Sequence, residues 1–208
     1  MSVRSVQKVR RTRADGARTK RLILDTAVRL GTVEGLDGLS IGKLAKATGI
    51  SKSGVYAHFD SKQDLQLATV ENARSLFVEV VVAPASSAEG LERLTGLCEA
   101  FLSYVEQRTL PGGCFFAAAA AELGGRTGPL REQVAANQRD WIGLLSDAAA
   151  EAVTKQQLNP NTDVAGLVFE LNALVISANT GFILHDDPVI ISRARAAVER
   201  VLSAATPA

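Results

Sequence analysis

Only two cysteines, six prolines and two histidines occur among 208 residues, and each scarcity closes off a class of protein. Cys98 and Cys114 cannot make a disulfide framework. They are expected to pack as small apolar groups, with a free reactive thiol as the lesser alternative. His58 and His185 leave no imidazole set for a metal. The nearest approach, His185-Asp186-Asp187, lacks a further ligand at suitable spacing and reads better as a polar loop before Pro188. No phosphate-binding glycine motif and no nucleophile elbow occurs. That argues against an enzyme, and no metal or cofactor is expected. Scarce proline, with abundant Ala and Leu, favours a helical chain. No uninterrupted run of 18 apolar residues is present, so no membrane span is expected. The basic N-terminus is not followed by an apolar segment, so it does not read as a secretory signal. A cytoplasmic protein is the expectation.

What is present is a substantial apolar content, 47% of residues, and a hidden charge asymmetry. The net charge is +1. Residues 1–62 carry 13 Lys/Arg against 5 Asp/Glu, and residues 63–208 carry 10 against 17. A basic first third on an acidic remainder points to contact between the first part and a polyanion. Residues 1–17, with Arg4, Lys8, Arg10, Arg11 and Arg13, read as a basic arm, disordered when free.

Apolar spacing sets out about nine helices and no strand. The first covers 18–34 and stops at Gly35. Ser40 caps a short second helix carrying Ile41, Leu44 and Ala45. Ser51 caps a third, over 52–58, and Asp60 or Ser61 caps a fourth, which runs on through Phe77 and Val80 to Pro84. Further helices are expected over 87–108, 114–123, 128–154, 163–184 and 188–204. The chain therefore reads as all-α. A three-helix head, 18–62, is followed by a larger helical unit, 63–208, and the fourth helix straddles their boundary.

"ATGISKSGVYAHFDSKQDL", residues 47–65, holds the chemistry. Helix, turn and helix at 41–48 and 52–58 match helix-turn-helix geometry. Ala45, Gly49 and Ile50 suit a tight turn, and Val55 would glue the third helix inward. Ser51, Lys52, Ser53, Tyr56 and His58 can then point outward, as groups able to bond phosphates or base edges. Lys62 lies at a helix start, where ammonium and free N–H groups both suit phosphate. An ordinary helical corner with solvated polar residues is the competing reading.

Residues 18–66 resemble the DNA-binding domain of the TetR family of transcriptional repressors. "LSIGKLAKATGISKSGVYAHFDSKQDL" is similar to that family's capped second helix, its "ATG(V/I)S" turn, its "LYxHF" third helix and its "xSKxxL" entry to helix four. Val55 stands where Leu is commonest, with Gly54 before it. The resemblance implies that Lys52, Ser53 and Tyr56 face the major groove. It implies that Tyr56, His58 and Lys62 hold phosphates, and that Ser40 caps helix two within reach of another. The arm, residues 8–21, would add contacts in an adjacent groove.

For the remainder, the resemblance implies a ligand-binding and dimerisation unit and a repressor released from a pseudo-palindromic DNA operator by a small, largely apolar effector. The apolar positions of the last two helices fit internal core or a partner helix equally by pattern. As a family member the chain would form a homodimer through Leu167, Leu171, Leu174, Val175, Ala178, Ala194, Val198 and Val201. The middle helices would enclose a pocket, and the run of five alanines in "PGGCFFAAAAAELGG" leaves room for one. Its candidate lining is Phe101, Cys114, Phe115, Phe116, Trp141 and Phe169, with Glu122, Asn137 and Asn172 as sparse polar anchors. A helical protein-binding adaptor and a transcriptional activator are the rival functions.

Overall fold

The computed structural model describes the backbone of residues 3–207 and the side chains of residues 15–207. Among the described residues there are nine α-helices and no strand. They are α1 (Val3–Glu34), α2 (Ile41–Thr48), α3 (Lys52–Tyr56), α4 (Lys62–Phe77), α5 (Gly90–Glu106), α6 (Phe115–Leu123), α7 (Pro129–Thr154), α8 (Val164–His185) and α9 (Val189–Ala205). The first helix is a correction. It starts at Val3 and not at residue 18, so helix continues into the segment read as a disordered arm. That segment contains no proline, and extending an existing helix costs little compared with nucleating one. The arm's side chains up to residue 14 lie outside the described residues, and with them any contact they make.

The head is built from local signals. Ser40 Oγ accepts from Lys43 N–H at 3.3 Å, Ser51 Oγ from Gly54 N–H at 3.1 Å and Ser61 Oγ from Asp64 N–H at 3.0 Å. Each fills one of the orphan donors of a helix start. Gly49 closes α2 in the left-handed region at φ +73, its N–H bonding Ala45 O at 3.0 Å. A residue without a Cβ adopts that conformation at the least steric cost. Ile23, Ala27, Leu44, Val55, Phe59 and Leu65 are buried and lock α1 to α4 around one small core.

α4 does not run on as a regular helix. A wide π-type turn, Val78–Val82, and a short 3-10 turn, Ala83–Ala85, follow it. Pro84 lacks the N–H that would continue the ladder, and its ring crowds the preceding turn. The valine run before it is equally ill suited to a tight α-turn.

The larger unit packs α5 against α7, α8 and α9, and α8 against α9. α8 is long and apolar enough to cross a membrane by length and composition alone. Its Leu167, Leu171, Val175 and Phe182 are instead buried against the protein's own helices. This corrects part of the expected dimer surface. Leu167, Leu171 and Val175 of α8 are buried within the protomer, and Val198 of α9, also buried, lines a groove between α5 and α9. Leu174, Ala178 and Ala194 lie in an outer groove between α8 and α9, and Val201 is half-buried. Leu171→Ala should therefore act as a core truncation, lowering unfolding free energy by about 2–5 kcal/mol, and chemical denaturation would read this. Full stability with altered self-association would return Leu171 to an interface.

Candidate nucleic-acid interface and ligand cavity

The short α3 is held from behind by Val55, fully buried, and at its start by Ser51. Its other face is open. Lys52, Ser53 and Tyr56 are exposed, Tyr56 at 63%. Ser51 and Ser53 hydroxyls lie 3.1 Å apart. Gly54 fits because a Cβ there would stand 2.8 Å from Ile50 Cγ2. It thus lets α3 start close against the turn. His58 is half-buried, its ring edge 6.4 Å from Phe59 by centroids. Lys62 is exposed, but its ammonium donates to Asp37 O at 2.7 Å. Lys62 thus ties the start of α4 to the α1–α2 loop and keeps two N–H donors for other use. Ser40 is exposed at its cap. The structure brings Ser51, Lys52, Ser53 and Tyr56 together on α3 and its cap, with Ser40, His58 and Lys62 on neighbouring segments.

A cavity of about 590 Å³ opens among the middle helices. Phe77 forms one wall, with Val78 and Val82 from the π-type turn. Phe101 comes from α5, Cys114, Phe116 and Ala117 from the start of α6, and Ile176 from α8. α7 supplies residues between Asn137 and Asp147, including Trp141 and Leu144. Phe77 meets Phe101, Phe116 and Trp141 nearly edge-on, with centroids 6.2, 6.0 and 5.4 Å away. Rings in such contact are mutually attractive beyond their buried area. Arg74, Arg139, Asp140 and Asp147 also line the cavity.

Of the expected lining, Phe101, Cys114, Phe116, Asn137 and Trp141 are there. Four residues are not. Phe115 is turned toward α1, where a Cβ on Gly31 would come within 3.2 Å of its ring. Phe169 is 74% exposed on the outer face of α8. Asn172 stands behind the wall, its Oδ1 accepting from Trp141 Nε1 at 3.0 Å. It orients the indole. Glu122 reaches the head. Among the lining residues missed are Arg74, Phe77, Gln138 and Ile176. Phe77 carried a signal, as an apolar residue at the end of α4, but one indistinguishable from ordinary core.

Both thiols are buried. Burial pushes Cys98 up to about 12 and Cys114 up to about 11, so each stays a neutral, unreactive thiol near pH 7. The loop residues read as a weak metal candidate have structural tasks. Asp186 caps α8 in the left-handed region and pairs with Arg108, and Asp187 accepts from Val189 N–H at 2.9 Å.

α6 connects the cavity to the head. Its start is pinned by Asn179 of α8, whose Oδ1 accepts from Cys114 N–H at 2.8 Å. Near its end, Glu122 accepts from Leu36 N–H at 2.7 Å and Asp37 N–H at 2.9 Å. Arg126 pairs with Asp37, and its guanidinium holds that carboxyl below the usual range. Gly35, at φ +76, leaves space for the clamp, since a Cβ would lie 2.8 Å from Glu122 Oε2. The loop before α6 is pressed on α1 as well, with Gly112 N–H donating to Thr32 Oγ1 at 3.1 Å.

Comparison with known proteins agrees with this geometry. Residues 23–69 match the family model of bacterial regulatory proteins of the tetR family, and residues 90–198 match the tetracyclin repressor-like C-terminal domain. The HTH-type transcriptional regulator AcrR of Shigella flexneri is 39% identical over 56 residues, 27% of this chain and 26% of that protein. The negative transcriptional regulator IcaR of the biofilm operon icaADBC, from Staphylococcus epidermidis, is 26% identical over 86 residues, 41% of this chain and 46% of that protein. The chain thus spans less than half the length of these curated relatives. A TetR transcriptional regulator from Chloroflexus aurantiacus shares the fold, with a TM-score of 0.82 at 24% identity, over 91% of this chain and 95% of that one. With models matched at both ends, the second across 90–198, the chain belongs to the TetR family of bacterial regulatory proteins.

Proposed function

We propose that the protein is a dimeric, sequence-specific DNA-binding repressor, released from a pseudo-palindromic operator when a small, largely apolar molecule fills the cavity. The observation that carries this reading is α3: a five-residue helix, anchored by buried Val55, with Lys52, Ser53 and Tyr56 open to solvent. Tyr56 and Lys52 would meet the major groove and its phosphates, and Ser40 and His58 would hold backbone at the edges. The name of IcaR, a negative regulator, favours repression.

A second copy would supply the other half-site reader, one DNA turn away. Phe169 and Leu184 are the large exposed apolar groups of α8, at 74% and 73%, and exposed Ala173, Ser177 and Thr180 lie between them. Their spacings of four, four, three and four put them on one helix face. Small residues there would let a partner helix approach closely. With the α8–α9 groove of Leu174, Ala178 and Ala194, this face would replace the buried positions as the dimer surface. Effector binding would favour a conformer with wrongly spaced reading helices, provided the ligand's affinity differs between the two states.

Fluorescence anisotropy with duplexes tiled from the protein's own upstream region tests the proposal. Binding to one duplex should fall with salt, with a log–log slope near −0.9 per phosphate neutralised. Tyr56→Ala should weaken that duplex about tenfold or more and leave thermal unfolding unchanged, because the ring is exposed. Parent-like affinity in this variant would remove α3 as the reader.

A further inference from the structure

Asp37 is held at three points. Its N–H donates to Glu122 Oε1 at 2.9 Å, its carbonyl accepts from Lys62 Nζ at 2.7 Å, and its carboxylate pairs with Arg126. The loop that carries it is braced. Leu36 and Leu39 are buried, and a Cβ on Gly38 would stand 2.2 Å from Glu34 O. Arg126 follows the end of α6, its N–H bonding Leu123 O at 2.9 Å.

Two cations therefore converge on one residue and divide it between them. Arg126 takes the charged carboxylate, and Lys62 takes only the neutral carbonyl. Among the described residues Lys62 pairs with no carboxylate. Arg126, and to a lesser degree Lys62, hold the Asp37 carboxyl below its usual range, so the ammonium is near enough to act on that charge. The other carboxylates close by have tasks of their own. Glu34 pairs with Lys43, Asp64 Oδ2 accepts from Asp60 N–H at 3.1 Å, and Glu122 accepts the two loop N–H groups. An ammonium keeps its full attraction for phosphate only while no carboxylate neutralises it. Resting on the reading of Lys62 as a phosphate contact, we propose that Arg126 is a positioning residue for DNA binding. By occupying the Asp37 carboxylate, it leaves the Lys62 ammonium free for the DNA backbone. Without Arg126 the unpaired carboxylate turns to Lys62, and the phosphate contact is lost. A residue between α6 and α7, in the body, thus sets the charge that the head offers to DNA.

The test is fluorescence anisotropy of the full chain with a mixed-sequence duplex at about 0.1–0.15 M salt, because phosphate contacts do not depend on sequence. Arg126→Ala should bind about five- to tenfold more weakly, and its log–log salt slope should shrink by about 0.9, the signature of one lost phosphate. Asp37→Asn also breaks the ion pair, but it removes the carboxylate that would capture Lys62. That variant should bind at least as tightly as the parent. Adding Asp37→Asn to Arg126→Ala should restore parent affinity. In a Lys62→Met background, Arg126→Ala should cost nothing further. Arg126 and Asp37 are both about half exposed, so thermal unfolding should stay close to the parent's throughout. An ion pair with a purely structural role would weaken both single variants alike, and that result would overturn the inference. So would an Arg126→Ala loss that persists beside Asp37→Asn, which would make Arg126 a DNA contact itself. If Lys62→Met binds like the parent, the reading of Lys62 as a phosphate contact falls first and takes the inference with it.

Discussion

Replacing Phe169→Asp and Leu184→Asp together should turn the proposed dimer into a folded monomer with operator affinity at least about 100-fold weaker. Both side chains are mostly exposed, so the protomer's own core loses nothing. In a dimer they would be desolvated, and a carboxylate placed there would face apolar groups without a partner, which costs several kcal/mol. The affinity loss follows from geometry. Two reading heads on one particle make the second half-site contact intramolecular, with a gain of roughly 10²–10⁴. Sedimentation and anisotropy on the same sample read both effects. A variant that stays dimeric would move the interface off this face of α8. A monomer that still binds its operator at parent affinity would remove dimerisation from the mechanism.

The second large effect is expected at Glu122. Hydrogen bonds to a charged acceptor contribute about 1.5–3 kcal/mol each, and Glu122→Ala removes two. It also leaves the Leu36 N–H, beside a buried side chain, without its acceptor. A net loss of about 3 kcal/mol is the expectation, which lowers the melting temperature by about 6–12 °C for a chain of this size. Amide hydrogen exchange at Leu36 and Asp37 should speed up selectively. The functional consequence is larger. Glu122 shares α6 with Phe116 and Ala117, so its loss should leave the effector bound and the operator retained. Glu122→Gln keeps one acceptor oxygen and should recover part of the stability. If Glu122→Ala still releases DNA on effector binding at the parent's concentration, coupling runs by another route. The direct α4 contact through Phe77 would then be the leading one.

The head and the body were not equally legible. Ser40, Ser51 and Ser61 each cap a helix through a donor three residues on, and Gly49 ends α2 through Ala45, four residues back. Such interactions are complete within one turn of chain, so a string of letters contains them. The exposure of Tyr56 and burial of Val55 follow from the same short register. The arm failed because propensity alone does not say where a helix stops when no proline or cap stops it. α8 failed differently. Leu167, Val168, Phe169, Leu171, Leu174 and Val175 make it apolar nearly all round, so its periodicity names no inner face.

The sequence by itself determined the all-helical class, the boundaries of α2 to α9 to within a few residues except the end of α4, and the outward-facing groups of α3. Those depend on contacts between residues close in the chain. The tertiary structure alone decided which side of α8 is core, which aromatic rings share a cavity, and that Glu122 reaches Leu36 across 86 residues. Each of those depends on how α5, α6, α7 and α8 cross. Crossing is set by the shapes of many side chains packed at once, and no single segment carries that information.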